Sequence, residues 1–235
     1  MFKSHAYVGM INYDQVLIQH ETCLLIANIN PLMKEYFYQQ CLYNFQNFGK
    51  FNFSEPLDIE DLLRAGLDFP EIDYCETSNM SKKELVQKYL KRLNSPMVGD
   101  SVHDPEEPTT KDMLAEYFKI TIKDNKLYSL PKVVKEIPPF IDYLPILMVK
   151  LAHCVDYTQE TNCFKQISEI IAEYFSKFIY YYALNNQEKV DQDCDKQNNV
   201  EFILKNILLP RMKKGLKIRA RFGTEVDKTF TTITC

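Results

Sequence analysis

The stretch Tyr7-Val8-Gly9-Met10-Ile11-Asn12-Tyr13-Asp14-Gln15-Val16-Leu17-Ile18 decides the fold class. Residues 7–11 and 16–18 are rich in strand-forming side chains, and Asn12-Tyr13-Asp14 between them are turn residues, so the segment reads as a β-hairpin. Residues 23–27 continue it as a buried strand. Asn30-Pro31 then offers an N-cap followed by proline at the first helical position. Met33, Tyr36, Phe37, Cys41, Leu42 and Phe45 recur at helical spacing. Gly49 closes that helix, and Phe51 and Phe53 alternate as a short strand. Strands leading into an amphipathic helix predict an α/β domain, with a mixed sheet packed against helices.

From Pro56 onward the composition shifts. Residues 54–108 carry thirteen acidic and six basic side chains. Ser81-x-x-Glu84 is a capping box, and Leu85, Tyr89, Leu90 and Leu93 form the apolar face of its helix. Residues 94–110 read as an acidic, proline-containing loop, and Met113, Leu114, Tyr117 and Phe118 as a short helix. Ile120 and Ile122 alternate with lysine and threonine, and Asp124-Asn125 turns the chain into residues 127–130. These features predict an inserted helix-and-hairpin subdomain at 57–142, set into a discontinuous subdomain made of 1–56 and 143–235. Helices are expected at 146–152, 164–184 and 200–209, the last ended by Pro210. Residues 185–199 are polar.

Several function classes are excluded by composition. With 28 Lys plus Arg against 32 Asp plus Glu, the net charge of −4 is not that of a generally basic nucleic-acid binder. At 46% apolar and 26% charged the chain is neither disordered nor fibrous. A chain of 235 residues buries roughly 70% of its unfolded surface and needs no staple. Six glycines form no phosphate-binding loop. Seven cysteines make no CxxC pair and read as reduced thiols of the cytosol or nucleus. No apolar run approaches a membrane span. Met1 runs almost directly into a strand, which predicts a domain taken from a longer protein.

Candidate chemistry is sparse. His20, between Gln19 and Glu21, lacks the further ligands a metal site needs, and reads as a strand-end polar group. His153, Cys154 and Cys163 diverge around a helix and read as ordinary thiols beside a histidine. His5 and His103 stand alone, and the acids at 104, 106 and 107 read as a solvated loop. The aromatics at 174, 175, 178, 180, 181 and 182 lie on several faces of one helix, which predicts burial on most sides rather than base stacking. The residues by themselves describe an interaction module rather than an enzyme.

Four collinear segments carry a resemblance. Tyr36-Phe37-Tyr38-Gln39 through Tyr43-Asn44-Phe45-Gln46-Asn47-Phe48-Gly49, with Ser54-Glu55-Pro56, is one. Pro138-Pro139, Leu144-Pro145-Ile146, Leu151-Ala152 and Cys163-Phe164 form the second. The third is Ile207-Leu208-Leu209-Pro210, some 25 residues before a terminal cysteine, and Gln19-His20 is the fourth. In order and spacing these resemble the C-terminal dimerisation domain of the eukaryotic DNA mismatch-repair family MutL homologue one.

That resemblance implies the non-catalytic, nuclear subunit of a repair endonuclease, separated here from the family's N-terminal ATPase. Its expected partners are a MutL-type paralogue carrying the endonuclease site, DNA and other mismatch-repair proteins, with no membrane. The catalytic paralogue's metal motif begins with Asp, whereas Ile18-Gln19-His20-Glu21 stands here, so no cofactor of its own is expected. The implied partner-binding residues are Gln19 and His20 at a sheet edge, with Ile203, Leu204, Ile207 and Leu208. Cys235 is implied as a ligand to zinc in the partner's site, with residues 229–234 lying along the partner as a strand. The chain ends Thr232-Ile233-Thr234-Cys235 where the family usually has Phe-Glu-Arg-Cys. The basic tail is open to two readings: a solvated counterpart to the acidic insert, or a DNA contact through Lys213, Lys214, Lys217, Arg219 and Arg221. Two other functions compete, a self-sufficient metal-dependent nicking nuclease and an interaction scaffold unrelated to repair.

Overall fold

The computed structural model describes residues 4–72, 80–95, 108–180, 200–217 and 230–233. The chain divides into two compact units, Met1–Gln39 with Phe175–Cys235, and Gln40–Tyr174. These boundaries differ from those drawn on composition: residues 40–56 and 143–174 belong with 57–142 in the second unit. Strand pairing explains part of this. The hairpin at 121–132 uses residues 49–58 as its third strand, so the segment before Pro56 is built into the same sheet.

In the first unit β1 (Ala6–Met10), β2 (Gln15–His20) and β3 (Cys23–Asn28) form the expected hairpin and its continuation. The hydrogen bonds that close the first turn include Ile11 N–H to the Gln15 carbonyl at 2.9 Å and Asp14 N–H to Asn12 Oδ1 at 2.9 Å. Val16, Ile18, Leu25 and Ala27 share the buried face. Helix α1 (Ile29–Tyr43) follows at once, and Ile29, Leu32, Met33, Tyr36 and Phe37 are its buried stripe. The Phe37 ring lies 5.5 Å from that of Phe175.

The second unit begins with β4 (Gly49–Asp58) and α2 (Ile59–Gly66). The composition reading contains no helix at 59–66. Its signal is local: Asp58 accepts hydrogen bonds from the N–H groups of Glu60 and Asp61, and both acids sit in the first turn, where the helix dipole favours them. Helix α3 (Lys82–Leu93) carries the expected Ser81–Glu84 capping box, and α4 (Thr110–Phe118) a second one, Thr109 N–H to Asp112 Oδ2 at 3.0 Å. Strands β5 (Thr121–Lys123) and β6 (Lys126–Lys132) turn through Asp124 and Asn125, both at positive φ as a two-residue hairpin loop requires. Helices α5 (Leu144–His153) and α6 (Glu160–Ser176) complete the unit's elements. Helix α6 begins before the expected 164 and ends at Ser176; residues 178–180 are helical again, and residues 181–184 of the expected helix lie outside the described residues.

Every described strand pair is antiparallel. The α/β class holds, but two small antiparallel sheets, ordered β1-β2-β3-β7 and β4-β6-β5, stand where one mixed sheet was expected. Strand β7 is Phe230–Ile233. No described helix is long and apolar enough to cross a membrane.

Arg92 is a fixed point of the second unit. Its guanidinium donates to the carbonyls of Ala152, His153 and Val155 at 3.1, 2.8 and 2.5 Å, satisfying the end of α5, and lies 5.8 Å from the Tyr157 ring centre. Arg92→Ala is expected to lower unfolding free energy by about 2–3 kcal/mol, because three acceptors lose a charged donor. Arg92→Lys should recover only part of that, since an ammonium does not reproduce the fork. Urea unfolding followed by circular dichroism measures both.

Candidate partner-binding face

Alternation along β2 and β3 sends Gln15, Leu17, Gln19, Leu24, Ile26 and Asn28 to the face opposite the buried one. Leu17, Leu24 and Ile26 are half-buried, and Gln15 donates to Asn28 Oδ1 at 3.2 Å. In β1 the register adds Ala6 opposite Gln19 and Gly9 opposite Leu17. These positions hold no charged residue. An antiparallel sheet with one solvated face normally alternates apolar-in with polar-out. Here the outer face is aliphatic at its centre and uncharged throughout the three strands, the composition of an interface core.

Gln19 and His20 do not act as one edge feature. Strand β2 lies between β1 and β3, and the outer strands of the sheet are β1 and β7. Neighbouring strand residues face opposite ways, so Gln19 joins the outer aliphatic face and His20 the inner side at the strand end. His20 Nδ1 lies 3.1 Å from Ser4 Oγ, and its Nε2 is 3.9 Å from Glu21. Among the described residues no three His, Cys, Asp or Glu side chains converge as a metal site. Cys163 is a buried thiol, pushed up to about 12 by burial and then by the charges of Asp156 and Glu160. Burial also raises the Cys154 thiol. Neither has the lowered pKa of a reactive cysteine.

The second expected interface element is a helix with a changed pitch. Residues 200–203 are α-helical, Leu204–Leu208 is a π-turn, and α7 (Leu209–Gly215) continues to Gly215. Pro210 therefore begins a helical turn instead of ending the helix. Leu209 N–H reaches back to the Leu204 carbonyl, and the wide turn accommodates the N–H that proline lacks. The inserted residue turns Leu208 and Leu209 both inward. Leu204 and Leu208 are 0% exposed, so they are core residues and have no surface for a partner. Ile203 and Ile207 are half-buried, and Phe202 is 57% exposed. The segment rests on β1: Tyr7 Oη donates to Glu201 at 2.8 Å, and Lys205 Nζ lies 5.9 Å from the Tyr7 ring centre. Burial, followed by the Glu201 carboxylate, raises the Tyr7 phenol above its ordinary range.

Gln39 was legible only as part of a resemblance, yet it organises the basic tail. The buried amide donates to the Lys217 carbonyl at 2.6 Å and accepts from Lys217 N–H at 2.8 Å. Lys213 Nζ donates to the His5 carbonyl at 2.8 Å, so it is committed to its own unit. Lys214 and Lys217 are exposed. Arg219, Arg221 and Cys235 lie outside the described residues. Strand β7 pairs with β3, Phe230 opposite Ala27 and Ile233 opposite Leu24, so one edge of the tail is taken up by its own sheet.

The family described as "DNA mismatch repair protein Mlh1 C-terminus" matches residues 1–235. The chain is 30% identical to "DNA mismatch repair protein Mlh1" of Dictyostelium discoideum, over 87% of this chain and 22% of that protein. It is 25% identical to "DNA mismatch repair protein MLH1" of Saccharomyces cerevisiae, over 91% of this chain and 27% of that protein. It is also 25% identical to "Putative MutL protein homolog 1" of Schizosaccharomyces pombe, over 89% and 27%. The chain spans about a quarter of the length of these relatives. With the family matched across the whole chain, this protein belongs to the Mlh1 C-terminal family of DNA mismatch-repair proteins.

Proposed function

We propose that the chain is the non-catalytic, nuclear C-terminal part of a MutL-type mismatch-repair heterodimer. It pairs with a paralogue that carries the endonuclease site, and other repair proteins dock on the pair. The carrying observation is the uncharged outer face of β1, β2 and β3, aliphatic at Leu17, Leu24 and Ile26. Stable obligate interfaces bury roughly 2,000 Å² or more and resemble a divided core. Phe202, Ile203 and Ile207 are the accessible apolar residues of the second element and extend the contact.

The terminal Cys235 follows β7 by two residues, and we assign it to the partner's metal site. Zinc takes thiolate readily and lowers the thiol's pKa on binding. Lys214 and Lys217, with Arg219 and Arg221, are the tail residues that would hold DNA beside that site. The chain supplies no cofactor of its own.

The pairing is tested with Leu17→Asp and Ile26→Asp together, in the chain mixed with its MutL-type paralogue. A charge at the centre of a packed interface costs at least about 2 kcal/mol, so the dissociation constant should rise 30-fold or more. Circular dichroism should stay unchanged, because neither residue is on the buried face. Unaltered association by light scattering sinks the proposal. So does metal-dependent nicking by the isolated chain, which would make it a nuclease in its own right.

A further inference from the structure

The second sheet carries a surface that the pairing does not use. Its inner face is buried through Ile122, Leu127 and Ser129. The other face brings together residues of all three strands. Phe51 stands opposite Leu130, and Phe53 follows on the same side of β4, with the two rings 5.6 Å apart and edge-to-face at 79°. Tyr128 is half-buried between Leu127 and Ser129 of the inner face, at the register shift of the β5–β6 pairing, which turns it to the Leu130 side, where Leu130 itself is buried beside the rings. Lys126 and Lys132 share the same parity in β6, and Lys123 of β5 is directly opposite Lys126. Three aromatic rings, each half-buried with part of its surface open, are thus bracketed by a lysine pair at one end of the face and Lys132 at the other.

The lysines are not spent on structure. None of the three forms an ion pair within the described residues. Two acids lie near the hairpin end. Asp58, opposite Lys126, uses its carboxylate to cap α2, and Asp124 is in the turn. Glu55 is exposed in the bulge of β4. An antiparallel sheet that presents aromatic rings between lysines suits a strand whose bases are unpaired. Bases stack on the rings while phosphates meet the ammonium groups. A duplex hides its base faces and would use only the lysines.

We propose that the outer face of β4, β6 and β5 binds single-stranded DNA, with Phe51, Phe53 and Tyr128 as the stacking platform and Lys123, Lys126 and Lys132 as phosphate contacts. The site lies in the unit that holds none of the proposed pairing residues, so it stands or falls independently of dimerisation.

The test is fluorescence anisotropy of the whole chain with a labelled oligothymidylate, beside a duplex of equal length and a polyglutamate peptide. The single strand should bind more tightly than the duplex. Tyr128→Ala should weaken it about tenfold, a typical loss for one stacking platform. Lys123→Gln, Lys126→Gln and Lys132→Gln together should flatten the log–log salt slope by about 2, three contacts at roughly 0.7 each. Circular dichroism checks the aromatic variant for folding, and the surface lysine variant tests the site without that concern. A salt slope unchanged in the triple lysine variant overturns the proposal. Equal affinity for duplex and single strand does so too. If polyglutamate binds as tightly as oligothymidylate and Tyr128→Ala leaves both unaffected, the face takes an acidic protein segment and the nucleic-acid assignment is wrong.

Discussion

Leu204→Asp is expected to destabilise the fold by about 4 kcal/mol or more. Removing a buried leucine alone costs about 3–5 kcal/mol, and an unpaired carboxylate in its place adds a desolvation penalty. That is a large fraction of the stability of an ordinary domain. Loss of partner binding by this variant would therefore report unfolding and not the position of an interface. The discriminating comparison is Phe202→Asp, two residues earlier and 57% exposed, which should change stability by less than about 0.5 kcal/mol. Thermal unfolding of the two variants checks the contrast. A small shift for Leu204→Asp would mean that the π-turn does not hold that side chain in the core.

Gly66→Ala should give the other large effect. A Cβ built on Gly66 would sit 2.5 Å from the Pro145 carbonyl oxygen and 2.6 Å from Val149 Cγ2. Helices α2 and α5 must separate to admit it, and backbone cannot yield as a flexible side chain does. Overpacking of this kind costs about 1–3 kcal/mol. Alanine's better helix propensity returns at most about 1 kcal/mol, so a net loss of about 1–2 kcal/mol is expected. Gly66 does not have positive φ, so the loss reports close approach alone. Gly9→Ala is the control, since no atom lies within 4 Å of its added Cβ. Urea midpoints of the two variants should differ clearly; equal midpoints would show that α2 and α5 are not held at this distance.

Much was legible because it is local. The turn at 12–14, the Ser81–Glu84 box and the Asp124-Asn125 hairpin depend on residues within a few positions of one another, and each is where the sequence puts it. Helix α2 is the local feature left unread, although Asp58, Glu60 and Asp61 announce its start. The stripe at 200, 203, 204, 207 and 208 was also visible, and with it the amphipathic character of the last helix.

Which side of that stripe is core was not visible. A helical wheel places Ile203 beside Leu204 and Ile207 beside Leu208. Only the π-turn before Pro210 rotates the leucines into the interior and leaves the isoleucines at the rim. The role of Gln39 is equally non-local, since its partner Lys217 is 178 residues away in the chain. The same holds for β7, whose pairing with β3 joins the two ends of the sequence, and for β4, whose partner strand lies beyond three helices. Propensity and spacing act over a few residues, so they determined elements, caps and family. Strand order, the uncharged outer face of the first sheet and the burial of Leu204 arise from long-range closure, and only the packed chain decides those.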